Sequence, residues 1–251
     1  MYSCCGITDV GAVRSENQDA FMINKLVLSH SQLESDISAP FIVGVADGVA
    51  SENNGAKASH LCLELLGNIN FRSTTDINRK IMDIHTNIRT YGTEHDGSLN
   101  MQTTLCAFAV DENGEGYSIN VGDSRMYLLR DGELTQITKD QTFVQMLVDS
   151  GEITIDECKS HVNRHMVLSV MGNYDDPPSP EIKKIGKMRD GDLVLLCTDG
   201  LSGTLSKDEI EEILLDGKES LARRLRTLIS TAISGGSTDN ITALAIICGK
   251  D

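Results

Sequence analysis

Basic charge is scarce in this sequence: 22 lysines and arginines stand against 37 aspartates and glutamates, a formal net charge of −15 over 251 residues. A field of that sign repels nucleic acid and anionic membrane surfaces, so neither is expected as a partner, whereas a surplus of carboxylates suits cations. No apolar run approaches the length of a membrane span, and no basic region followed by an apolar stretch opens the chain. A cytoplasmic location is therefore expected. The seven cysteines form no Cys-x-x-Cys pair, and most sit inside apolar runs such as Leu195-Leu196-Cys197, as reduced core residues do. There is no low-complexity tract. With 40% hydrophobic residues, the chain can bury a sizeable core, and one domain over 1–251 is expected.

What is present is a series of short β-like runs bounded by turn residues, at 3–8, 20–28, 40–46, 103–110, 116–121, 125–130, 133–138, 192–198 and 241–248. Helical spacing of apolar residues appears at 55–66, 76–91, 140–150 and 206–233. The last of these opens on Ser206 with Glu209 three residues on, the spacing of a capping box. Strands cluster around helical pairs instead of alternating with helices one for one, which favours layered antiparallel sheets over parallel βαβ repeats. The stretch 150–180, with Asp175-Asp176-Pro177-Pro178-Ser179-Pro180, is the least regular and is expected to form a mobile subdomain near a site.

Asp-Gly occurs six times, and most occurrences are turns; Asp131-Gly132 between Tyr127 and Thr135 is a hairpin signal. Asp47 and Asp199 differ because each ends a continuous apolar run, Phe41 to Ala46 and Leu193 to Thr198. Each carboxylate is thus placed at the rim of a buried sheet. Asp239 stands just before the run Ile241 to Cys248, and Asp19 opens the run Ala20 to Leu28. None has a cationic sequence neighbour. Four anions at the mouth of one core are costly unless a cation joins them, and hard divalent ions take such oxygen ligands. Taken singly, each is equally well read as a turn or cap aspartate.

The string from Asp9 through Arg14 and Asn17 to Asp19 resembles the opening motif of the metal-dependent protein phosphatases, the protein phosphatase 2C family, and in particular its compact bacterial members. Val45-Ala46-Asp47-Gly48, Thr103-Thr104-Leu105, Asn120 to Arg125, Cys197 to Leu201 and Ser237 to Thr242 follow in the family's order. The resemblance spans nearly the whole chain, and six motifs in order are specific where one would be weak. It implies an α+β fold, a four-layer α-β-β-α sandwich of two antiparallel β-sheets flanked by helices, with a small flap subdomain over about 140–180. It also implies hydrolysis of phosphoserine and phosphothreonine on proteins by water activated between two Mg2+ or Mn2+ ions. Asp47 would bridge the ions, Asp199 and Asp239 would complete one, and Asp19, partly through water, with the Gly48 carbonyl would serve the other. Asp123 matches the position of a third, weaker metal; a capped loop aspartate is its plain alternative. Asn240 would orient the ligands from outside, and Arg14 would hold the phosphate with its guanidinium fork.

The sequence departs from the family at two points. Where many relatives carry histidine after Asp-Gly-Met-Gly-Gly, this chain has Glu52, so the proton for the leaving oxygen would come from a Glu52 of raised pKa or from a metal-held water. Gln141 also stands where histidine is usual. These departures sustain an alternative: a catalytically weak or inactive domain that binds phosphoproteins or a regulatory partner. A cysteine-dependent phosphatase is suggested only by Cys158 and Arg164 at Cys-x5-Arg spacing, without the glycines or preceding buried strand such a loop needs. The resemblance further implies phosphorylated protein substrates and a cognate serine/threonine kinase system; the compactness of the chain suggests a monomeric enzyme.

Overall fold

A computed structural model describes residues 1–49, 54–96, 101–158 and 160–249. Twelve strands among them make two six-stranded sheets, every pairing antiparallel. In chain order they are β1 Tyr2–Asp9, β2 Asp19–Ile23, β3 Leu26–Leu28, β4 Ser31–Ile37, β5 Phe41–Asp47, β6 Leu105–Val110, β7 Glu115–Val121, β8 Arg125–Arg130, β9 Glu133–Gln136, β10 Glu181–Lys187, β11 Leu193–Cys197 and β12 Ile241–Cys248. One sheet runs β4-β1-β12-β11-β8-β9, the other β10-β7-β6-β5-β2-β3. Helices α1 Gly55–Gly67 and α2 Ile77–Tyr91 cover the second sheet; α5 Asp199–Ser202, α6 Lys207–Leu215 and α7 Leu221–Ser234 cover the first. Short helices α3 Phe143–Asp149 and α4 Ile155–Cys158 lie between β9 and β10.

The continuous apolar character of the central strands follows from burial on both faces. Leu193, Leu195 and Cys197 of β11 pack with Leu225 and Leu228 of α7, while Val194 and Leu196 face Val45 and Phe108 of the other sheet. The second sheet's outer face packs against Cys62, Leu66, Ile84 and Ile88 of α1 and α2. The layers therefore run helix, sheet, sheet, helix, as the resemblance implied.

Local chemistry sets several boundaries. Asp131 and Gly132, with φ of 54° and 84°, both take the left-handed conformation that a two-residue hairpin demands between β8 and β9. Ser206 and Glu209 form the expected capping box. The single helix expected over 206–233 is instead two: α6 ends at Leu215 before Asp216-Gly217, and Ser220 caps α7 by accepting from the Arg223 amide. The run expected at 20–28 likewise divides into β2 and β3 at Asn24 and Lys25, both at positive φ.

Candidate metal centre

Antiparallel register brings the aspartates to one end of the sandwich. Asp19, which begins β2, pairs directly with Asp47, which ends β5. In the facing sheet Asp199 follows β11 and Asp239 precedes β12, and the pairing of Cys197 with Ala243 marks the same end of these two strands. Close backbone approach locks this half: a Cβ on Gly200 would lie 2.0 Å from the Asn240 carbonyl oxygen. The Ser237 hydroxyl adds a 2.8 Å bond to the Gly200 carbonyl. Gly48 is held as tightly, since a Cβ there would meet the Gly55 backbone at 2.4 Å, where α1 begins. Asp123 joins from the loop after β7 and is buried.

The carboxylates crowd one another without a compensating cation of their own number. Burial raises the Asp47 carboxyl well above the usual range, and Asp19, Asp199, Asp123 and Asp239 all push it the same way. Asp199 is raised by burial and by Asp239, and Asp123 by burial, Asp199 and Asp140. Asp19 is wholly buried, which drives it up to about 7 although two hydroxyls pull it down. Those hydroxyls are Thr198 Oγ1 and Thr242 Oγ1, donating to Asp19 Oδ2 at 2.7 and 2.8 Å. Thr198 stands where a threonine ordinarily caps a helix, at the start of α5, yet makes no cap bond and spends its hydroxyl on Asp19.

Asp19 Oδ1 and Asp199 Oδ1 are buried with no hydrogen-bond partner among the described residues. An ionised oxygen in that state is costly, and a hard cation is the partner that removes the cost and the mutual repulsion together. Among the described residues no three side chains close on a single point as they do around a bound ion; the mouth gathers its oxygens and leaves two of them open. The donor set, all carboxylate with backbone carbonyl nearby, is the chemistry that Mg2+ and Mn2+ take.

Around this mouth Arg14 Nη2 donates to Asp239 Oδ2 at 2.7 Å. Its guanidinium also senses Asp47 and Asp199, so Arg14 lies at the mouth with its side chain engaged by a carboxylate. Asn240 accepts from the Gln18 amide at 2.8 Å and donates to the Val10 and Glu16 carbonyls at 2.9 Å each, pinning the β1–β2 loop that carries Arg14. The Asp47 backbone is clamped by Thr104 Oγ1, which accepts from its amide at 3.0 Å, and by Thr103 Oγ1, which donates to its carbonyl at 2.8 Å. Glu52 lies outside the described residues. Gln141 accepts from the Gly122 amide and donates to the Ser179 carbonyl, both at 2.9 Å, tying the irregular 140–180 region to the Asp123 loop. The threonine contacts to Asp19 were not foreseen from sequence; their one local signal is a hydroxyl residue at 198 and 242 inside otherwise apolar strand ends.

The family model of protein phosphatase 2C matches residues 13–236. This chain belongs to that family. The serine/threonine phosphatase stp of Listeria welshimeri is 30% identical over 249 residues, 95% of this chain and 93% of its own length. The serine/threonine protein phosphatase PstP of Mycobacterium tuberculosis is 44% identical over 144 residues, 57% of this chain, and that match spans 27% of PstP. The crystal structure of the catalytic domain of a PstP in complex with two manganese ions has a TM-score of 0.80 to this chain at 29% identity, covering 100% of both. No described helix is long and apolar enough to cross a membrane.

Proposed function

We propose that this protein phosphatase 2C member hydrolyses phosphoserine and phosphothreonine on proteins, with water activated at two Mg2+ or Mn2+ ions. The observation that carries the reading is the pair of buried, unpartnered oxygens, Asp19 Oδ1 and Asp199 Oδ1, at a mouth where neighbouring aspartates raise one another. Asp47 would bridge the ions, Asp199 and Asp239 would complete one site, Asp19 and the Gly48 carbonyl the other, and Asp123 a third, weaker site. Bound there, the cations supply Lewis-acid activation of water and screening of the phosphoryl oxygens.

The chain's own residues do the rest. Thr198 and Thr242 hold Asp19 through Oδ2 and leave Oδ1 free for a cation. Asn240 fixes the loop that presents Arg14. Arg14, bonded here to Asp239 at 2.7 Å, would hold two phosphate oxygens with its guanidinium fork, a bidentate match that lysine cannot reproduce. The leaving alkoxide takes its proton from Glu52 or from water. A kinase that installs the phosphate is implied, and the enzyme is proposed to act as a monomer.

A thiolate mechanism finds no support. Six of the seven cysteines are buried, and burial lifts the thiols of Cys4, Cys5, Cys62, Cys106 and Cys197. Cys158 ends the helix α4 and bonds back to the Thr154 carbonyl. The decisive experiment is phosphate release from a phosphothreonine peptide with Mn2+, with EDTA and after iodoacetamide. Release that needs Mn2+ and ignores alkylation is expected. Release that survives chelation but not iodoacetamide would overturn the reading; silence throughout would make this a binding module.

A further inference from the structure

Of the four side chains that α2 buries, three are isoleucines, Ile81, Ile84 and Ile88, and the fourth is His85, 2% exposed. An imidazole in such surroundings is costly unless its polar atoms are bonded. Its Nδ1 lies 3.0 Å from the Gly172 amide nitrogen. A backbone amide can only donate, so Nδ1 is the unprotonated nitrogen and the ring is the neutral tautomer with its proton on Nε2. Burial and the charge of Arg89, one helical turn on, both push the His85 pKa down and keep the ring in that form.

From Gly172 the bonding continues to the mouth. Gly172 is wedged against the neighbouring segment: a Cβ there would lie 2.0 Å from the Met101 carbonyl oxygen and 2.7 Å from Ile88 Cγ2. The residue before it, Met171, forms an antiparallel bridge with Thr103, its amide donating to the Thr103 carbonyl at 2.8 Å and its carbonyl accepting from the Thr103 amide at 3.1 Å. Thr103 bridges Gly48 on its other side. Its hydroxyl donates to the Asp47 carbonyl at 2.8 Å, and the Thr104 amide donates to the same oxygen at 2.8 Å. Met171, Thr103 and Thr104 are all buried. Packing alone asks for an aliphatic at position 85, as at 81, 84 and 88; what histidine adds is the acceptor.

We propose that His85 is a positioning residue of the metal centre: by accepting the Gly172 amide it holds the Met171–Thr103 pairing, and through it the backbone of Asp47 and Gly48. This rests on the metal-dependent reading of the mouth and adds to it a residue on α2, outside the mouth itself.

The test measures Mn2+ uptake by the full chain from the electron paramagnetic resonance signal of the free ion, in the wild type, His85→Leu and His85→Asn. Asparagine can present its Oδ1 where the ring has Nδ1, whereas leucine fills the space without an acceptor. His85→Leu should raise the Mn2+ Kd about tenfold, the low end for loss of a group that orients metal ligands, and His85→Asn should stay within about twofold of wild type. Filling an apolar site ranks the two variants the other way, since leucine suits it better than asparagine. Should His85→Leu not fold, His85→Gln takes its place, because its amide reaches the Nε2 position instead.

Hydrogen exchange on the metal-free protein supplies a second reading. Loss of the acceptor should speed exchange at the Gly172, Thr103 and Thr104 amides and leave Leu195 and Ile246, in the other sheet, unchanged. Unaltered Mn2+ affinity in the acceptor-free variant, weaker binding by His85→Asn than by His85→Leu, or faster exchange confined to Gly172 would each overturn the proposal and leave the metal reading standing. A wild type that takes up no Mn2+ would overturn the metal reading and the proposal with it.

Discussion

The strand-end mouth and the segment over 140–180, expected to be a flap, are held by different means. At the mouth the backbone is fixed by glycines with no room for a Cβ, by threonine hydroxyls and by Asn240, and the unsatisfied groups are charged oxygens. In the flap, α4 buries none of its residues, α3 buries only Val144, and the unsatisfied groups are aliphatic. Rigid elements suit chemistry that tolerates little displacement, whereas a loosely packed, exposed segment can adapt to varied protein partners. Besides Gln141, Arg125 joins the two: it grips Asp140 through Nε and Nη2 at 2.9 and 2.7 Å and donates from Nη1 to the Ser202 carbonyl at 3.2 Å, on the helix that Asp199 begins.

The largest effect should come from the mouth. Asp199→Asn keeps the shape and removes the charge; several kcal/mol of electrostatic stabilisation would go with it, roughly a thousandfold in metal-dependent phosphate release. Circular dichroism should be unchanged, since the wild-type carboxylate is under repulsion from Asp239. Near-normal turnover would break the distinction between mouth and flap. Arg14→Ala should be milder. Loss of a charged hydrogen-bonding partner for the phosphate is worth about 1.5–3 kcal/mol, so kcat/KM should fall about 10–100-fold, with Arg14→Lys recovering only part. A lysine variant at full activity would remove the fork from the argument.

Legibility in the sequence followed the same division. Asp47 and Asp199 could be placed at sheet rims because β5 and β11 are buried on both faces and therefore read as unbroken apolar runs. β4 and β10 were not anticipated: Ser31–Ile37 and Glu181–Lys187 are edge strands that bury little and carry lysine, glutamate and serine, so no apolar pattern announces them. The pairing of Asp19 with Asp47 depends on register between β2 and β5, and the bond from Thr242 to Asp19 on how the two sheets face each other, neither of which a local pattern encodes. The motifs supplied that grouping only through resemblance. The interruption of the long helix at Asp216-Gly217 was visible as a turn dipeptide but was outweighed by the apolar spacing across it.

A third measurement sharpens the comparison through pH. Asp19 rises from an ordinary carboxylate value to about 7 on folding, and Asp47, Asp123 and Asp199 rise too. A group raised in the folded state binds its proton more tightly there, so its contribution is full below the unfolded pKa and is lost as pH climbs through the folded one. Metal-free protein should therefore have a falling Tm from about pH 4 to about pH 7. Saturating Mn2+ should reverse the trend, adding about 2.7 kcal/mol at a hundred times its Kd and most at the alkaline end, where the oxygens are ionised. A metal-free Tm that rises steadily over this range would mean that the carboxylates are already compensated.

The smallest effect belongs to the flap. Ile155 is 74% exposed and begins a helix with no buried residue, so Ile155→Ser removes almost no buried surface and leaves no cavity. Its unfolding free energy should stay within about 0.5 kcal/mol of wild type by urea denaturation, and p-nitrophenyl phosphate hydrolysis should not change. A loss of 2 kcal/mol, the order expected of a core aliphatic, would mean that α4 is packed in solution. That segment would then be a structural element like the mouth, with its apolar side chains packed within the chain itself.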